Sequence, residues 1–96
     1  MLSKIPIDLN RIKPEDKDKE ILRAALIAEL DAINLYEEMA ALAKNNDIKT
    51  VLLDVAKEEK EHVGEFQTLL LMFDKEQVEE LKGGKKEVEE LIEKGN

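Results

Sequence analysis

The sequence predicts an all-α fold built on an antiparallel hairpin of two long helices. Three observations carry this. The chain is 43% hydrophobic and 40% charged but only 3% aromatic, a mixture that suits long helices with one solvated face and not short alternating strands. From Glu15 to Lys44 there is no glycine or proline to interrupt a helix. Past a polar break at Asn45, Asn46 and Asp47, a second uninterrupted stretch runs to Phe73, with Gly64 as its one weak point.

The elements follow in order. Residues 1–13 read as an extended N-terminal segment, its scattered apolar residues broken by Pro6 and charges. Pro14 suits a first helical position, and Glu15 and Asp16 favour the positive end of the helix that follows, expected over 14–44. Asn tolerates the residue after a helix end, and Asp47 can cap a second helix over 48–73. Asp74 followed by Gln77 makes a capping signature for a short third helix over 75–82. Gly83-Gly84 is expected to stop it, leaving 83–96 as an acidic tail or linker. The helical hairpin domain is thus 14–82. A connection of about three residues forces the long helices to run antiparallel. Two helices cannot enclose a core, so the hairpin is expected to dimerise into a four-helix bundle.

Composition excludes several functions. A net charge of −8 opposes binding to nucleic acid or to an anionic membrane surface, since both need basic residues. No stretch approaches the ~20 apolar residues of a membrane span, and the N-terminus lacks the apolar run of a signal peptide. The expected setting is cytoplasmic. Cysteine is absent, which removes disulfides, iron–sulfur clusters and thiol catalysis.

Three polar residues stand where apolar ones belong. The first helix has a seam at steps of three and four: Leu22, Leu26, Glu29, Ile33, Tyr36, Ala40, Ala43. The second repeats it: Ile48, Leu52, Val55, Glu59, His62, Phe66, Leu69, Phe73. An unpaired buried carboxylate is unfavourable, so Glu29, Glu59 and His62 each need a partner. Counted from Asn46, Glu29 lies 17 residues back and Glu59 and His62 lie 13 and 16 ahead. At about 1.5 Å per residue the three sit within roughly 6 Å of one level. Glu59 and His62, three residues apart, share a face.

Two carboxylates and an imidazole are half of the ligand set of ferritin-like di-iron bundles, which take a Glu from each of two helices and a Glu-x-x-His from each of the other two. A two-fold axis would supply the remainder from a second chain. Carboxylates bridge two cations and imidazole completes each coordination sphere, a set that iron, manganese and zinc all accept. The bland reading is a metal-free structural dimerisation module, with Glu29 and His62 as a buried polar pair that fixes register. Seam position, matched height and a hairpin that must dimerise together favour the metal centre. Tyr36, two turns beyond Glu29, either contacts the site or packs at the dimer seam. Glu58, Glu61 and Glu65 fall off the seam, on a solvated face.

At Ala28-Glu29-Leu30-Asp31-Ala32-Ile33-Asn34-Leu35-Tyr36 and Glu58-Glu59-Lys60-Glu61-His62 the sequence resembles the encapsulated ferritins, a likeness covering most of 20–75. The resemblance implies a ferroxidase whose dinuclear iron ligands, Glu29, Glu59 and His62, come equally from two subunits. It also implies open rings of dimers that oxidise Fe²⁺ in the lumen of an encapsulin shell, the shell holding the mineral. Two positions depart from the family pattern. Ala28 stands where an acidic residue can precede the ligand, so Asp31 is all that remains of an outer metal-uptake patch. Leu35 stands where tryptophan is common. Related archaeal-type chains continue into the shell protein, and 83–96 could begin such a linker. A rubrerythrin-like peroxidase would need rubredoxin cysteines and usually both half-sites in one chain; this sequence has neither.

Overall fold

Pro14 opens a single 3-10 turn, Pro14–Asp16, before the α-helical ladder takes over. The computed structural model describes residues 10, 11 and 13–95; most of the expected extended segment over 1–13 lies outside them. Helix α1 spans Lys17–Leu42 and α2 spans Asn46–Phe73, antiparallel, with residues 43–45 between them. Helix α3 spans Lys75–Gly95. No strand occurs among the described residues.

The connection is set by two dihedral changes. Ala43 turns extended (φ −67°, ψ 137°) while its N–H still reaches Met39 O, which ends α1 two residues before Lys44. Asn45 is also extended, and its Oδ1 accepts from Asp47 N at 2.9 Å and Ile48 N at 3.1 Å. The N-cap is therefore Asn45 and not Asp47. A cap must precede the N–H groups that it satisfies, and Asn45 is placed to reach two of them. Asp47 falls in the first turn, where its charge meets the positive helix end.

Asp74 joins α2 to α3. Its Oδ1 accepts from Gln77 N at 3.0 Å, the expected cap, and its Oδ2 accepts from Arg23 Nη2 at 2.8 Å. The Gln77 N–H, opposed by partial desolvation and aided by Arg23, holds the Asp74 carboxyl below the usual range. This ion pair ties the end of α2 to the start of α1.

The expected stop at Gly83-Gly84 does not occur: α3 continues through both glycines to Gly95. Glycine ends a helix by taking a left-handed φ, and neither residue does so. The short third helix is thus a long one. It touches the hairpin only near Asp74 and extends away as the second arm of an L, 47 × 46 × 20 Å overall.

The hairpin core is thin. Ile33 and Ala40 of α1 and Ala56 and Leu70 of α2 are buried. The apolar residues of α2 divide into two neighbouring stripes. Leu52, Ala56, Glu59, Val63, Phe66 and Leu70 face α1, buried or half-buried. Ile48, Val51, Leu69 and Phe73 lie on an adjacent stripe and are 56, 61, 43 and 56% exposed. The single seam expected for α2 mixed these two. No helix among the described residues is long and apolar enough to cross a membrane.

Candidate metal centre

Glu29 comes from the middle of α1, and Glu59 and His62 from the middle of α2. The hairpin brings them together at one height, as their distances from the connection require. One ligand atom from each lies within 4.8 Å of the other two. His62 Nδ1 is the hub: it is 3.3 Å from Glu59 Oε2 and 3.4 Å from Glu29 Oε2. The Nδ1 to Glu59 Oε2 contact has hydrogen-bond geometry.

The three side chains differ in access. Glu29 and Glu59 are 19 and 18% exposed, whereas His62 is 43% exposed. His62 lies on the second, outward stripe of α2, level with the gap between Val55 and Leu69. The cluster therefore opens where the hairpin presents unpartnered apolar side chains.

Glu29 Oε2 is fully buried and makes no hydrogen bond, the one such side-chain atom found among the described residues. Its approach to His62 Nδ1 at 3.4 Å lacks hydrogen-bond geometry. A buried carboxylate oxygen left in this state is unfavourable, and a cation would satisfy it. Two carboxylates and an imidazole fit a divalent first-row metal. The residues present thus fit iron.

The converging ligand atoms are those of Glu29, Glu59 and His62, a group that does not include Asp31. Tyr36 is half-buried on the hairpin side of α1, two turns from Glu29. Asp31, two residues past Glu29 and so about 200° round the helix, lies on the far side of α1. Glu58, Glu61 and Glu65 are exposed, as expected of a solvated face. Sequence reasoning did not find two ion pairs that hold the hairpin around the cluster. Lys60 Nζ meets Glu37 Oε2 at 3.0 Å across the helices, and Arg23 meets Asp74 at the open end. Complementary charge was the only signal available, and in so charged a chain it singles out no pair.

The rubrerythrin family matches residues 20–94. The chain is 60% identical over 93 residues to the ferritin-like–encapsulin shell fusion protein of Pyrococcus furiosus. That alignment takes in 95% of this chain but spans only 27% of the fusion protein's length. An encapsulin nanocompartment cargo protein of Myxococcus xanthus is 43% identical over 56 residues, 58% of this chain and 43% of that one. Among solved structures, the encapsulated ferritin domain from Pyrococcus furiosus superposes with a TM-score of 0.80 at 58% identity, covering 95% of each chain.

Proposed function

The chain belongs to the rubrerythrin family, as a ferritin-like domain of the encapsulated-ferritin kind, and on that premise we propose that it is a ferroxidase whose dinuclear iron site is completed by a second copy of itself. The observation that carries this reading is the buried, unbonded Glu29 Oε2 beside Glu59 and His62, at the edge of an exposed apolar stripe. One chain offers three ligands, too few for two ions. A two-fold axis along the stripe doubles them to four carboxylates and two imidazoles, the ferritin-like set. The same axis buries Val51, Leu69 and Phe73, which favours the pairing through apolar burial.

In this site Fe²⁺ is the substrate. Glu29 and Glu59 neutralise the charge of the pair of ions and hold them side by side, and His62 fixes each ion at the subunit boundary. With dioxygen as acceptor, two Fe²⁺ lose one electron each, and O₂ takes up two electrons and two protons to leave as hydrogen peroxide. Carboxylates favour Fe³⁺ over Fe²⁺ because they are hard anionic donors. The product is delivered to a mineral that the domain does not itself enclose. The relatives named above are encapsulin shell-fusion and cargo proteins, which supports an encapsulin shell as the partner and its lumen as the location. Apolar residues on the opposite side of the hairpin, Ile27, Leu30 and Leu53, leave room for dimers to associate further into a ring.

The test is oxidation of Fe²⁺ followed by absorbance of the ferric product. Glu59→Ala and His62→Ala are each expected to slow it by at least about tenfold, since even residues that only orient a ligand are worth about 10–100-fold. Far-ultraviolet circular dichroism must show the variants folded. Parent-like rates in both, with no iron in the purified dimer, would leave the metal-free dimerisation module as the correct reading.

A further inference from the structure

We propose that Gly83-Gly84 is a hinge inside α3, about which residues 85–95 leave the helix axis while 75–82 stays fixed to the hairpin. The two halves of α3 are held very differently. The first turn is anchored: Asp74 caps it through Gln77 N, Arg23 grips the same carboxylate at 2.8 Å, and Gln77 and Val78 are half-buried. Every residue from Glu79 to Gly95 is exposed, including Val88, Leu91 and Ile92 at 54, 69 and 60%.

The glycines begin about one and a half turns past Val78, the last half-buried residue, and packing does not explain them. A Cβ at either would meet nothing within 4 Å, and neither has a left-handed φ. Alanine would therefore fit both positions and lengthen the stable helix. Each interior glycine lowers helix population roughly fivefold relative to alanine, so the pair weakens the ladder on the order of twentyfold. Side-chain pairs do not restore it. Lys82 turns back to Glu79 and Lys85 forward to Glu89, so each pair stays on its own side of the glycines. Beyond the break, 85–95 is shorter than the ~12–15 residues an isolated helix needs in water. The hinge gives Val88, Leu91 and Ile92 a range of positions relative to the Glu29–Glu59–His62 cluster.

The chain has no cysteine, so a spin-label pair is readily introduced. Labels at Glu79→Cys and Glu93→Cys flank the glycines on one exposed face, about 21 Å apart along a straight helix. Pulsed electron–electron distance measurement, with labelled chains diluted in unlabelled ones, reads the distribution. The parent is expected to give a broad distribution, and G83A/G84A a single narrow one near the straight-helix separation. A parent as narrow as G83A/G84A overturns the hinge. Equal breadth in both also overturns it, because the disorder would then be end-fraying independent of the glycines.

Discussion

Replacing Glu29 by glutamine keeps the side chain's shape and removes one of two negative charges that the hairpin holds close together. Glu29 and Glu59 present oxygens within 4.8 Å of each other. At an effective dielectric of about 20, unit charges at that separation repel by about 3.5 kcal/mol. His62 Nδ1, at 3.4 and 3.3 Å from the two carboxylates, offsets part of this. The glutamine amide also supplies donors where the carboxylate had none. Metal-free Glu29→Gln is therefore expected to be at least as stable as the parent, with a gain of about 1 kcal/mol. In a domain of this size 1 kcal/mol moves the melting midpoint by about 4–8 °C. Metal should reverse the order. A ligand at 100 times its Kd stabilises by about 2.7 kcal/mol, an upward shift of roughly 10–20 °C for the parent. Glu29→Gln should lose most of that shift. The assay is thermal unfolding by circular dichroism, anaerobic, with and without Fe²⁺. A variant that melts well below the parent without metal, yet gains the full shift with it, would refute the reasoning and make Glu29 a structural carboxylate.

Three further outcomes follow from the same contacts. Fe²⁺ should drive monomers into dimers or larger assemblies, read by native mass spectrometry; a monomer that binds two irons excludes a shared site. Asp74 has a lowered carboxyl in the folded chain, so its contribution is complete above the ordinary aspartate value of about 3.9 and is lost as pH falls through the lowered value. Amide protection at the start of α3, taken relative to the intrinsic exchange rate at each pH, should therefore fall on acidification below about pH 4, and Asp74→Asn should flatten that dependence; identical profiles would contradict it. Asn45→Ala should lower stability by about 1 kcal/mol by removing the α2 cap, measured as a shift in the urea midpoint at constant slope, while Asp47→Ala should move it less.

The hairpin was legible because its punctuation is local. Absent glycine and proline fixed two long helices, and one polar cluster fixed where the chain turns. The carboxylate–imidazole cluster was legible for a related reason: Glu29, Glu59 and His62 interrupt apolar seams at heights that a helical rise converts directly into proximity. Three features were not. Asn45 and Asp47 are both good caps, and composition does not rank them; backbone dihedrals do. The α2 seam reads as one line because the stripe facing α1 and the exposed stripe beside it have the same spacing, and only burial separates Ala56 and Leu70 from Ile48 and Phe73. Gly83-Gly84 resembles a helix stop in composition but not in conformation. Arg23 and Asp74, 51 residues apart, are joined by the fold alone.

A chain with one Glu-x-x-His and one opposing glutamate has a genetic consequence if two copies share the centre. Every codon change at these positions is expressed twice in each complete site. A single substitution removes two ligands at once, and no single substitution can differentiate the two irons. Mixed assembly of parent and variant chains would yield hybrid sites with one altered half, and their share would follow binomial statistics. A population of such hybrids is a titration of ligand loss that a one-chain di-iron protein cannot provide. Functional asymmetry between the two irons would require the gene to be duplicated first.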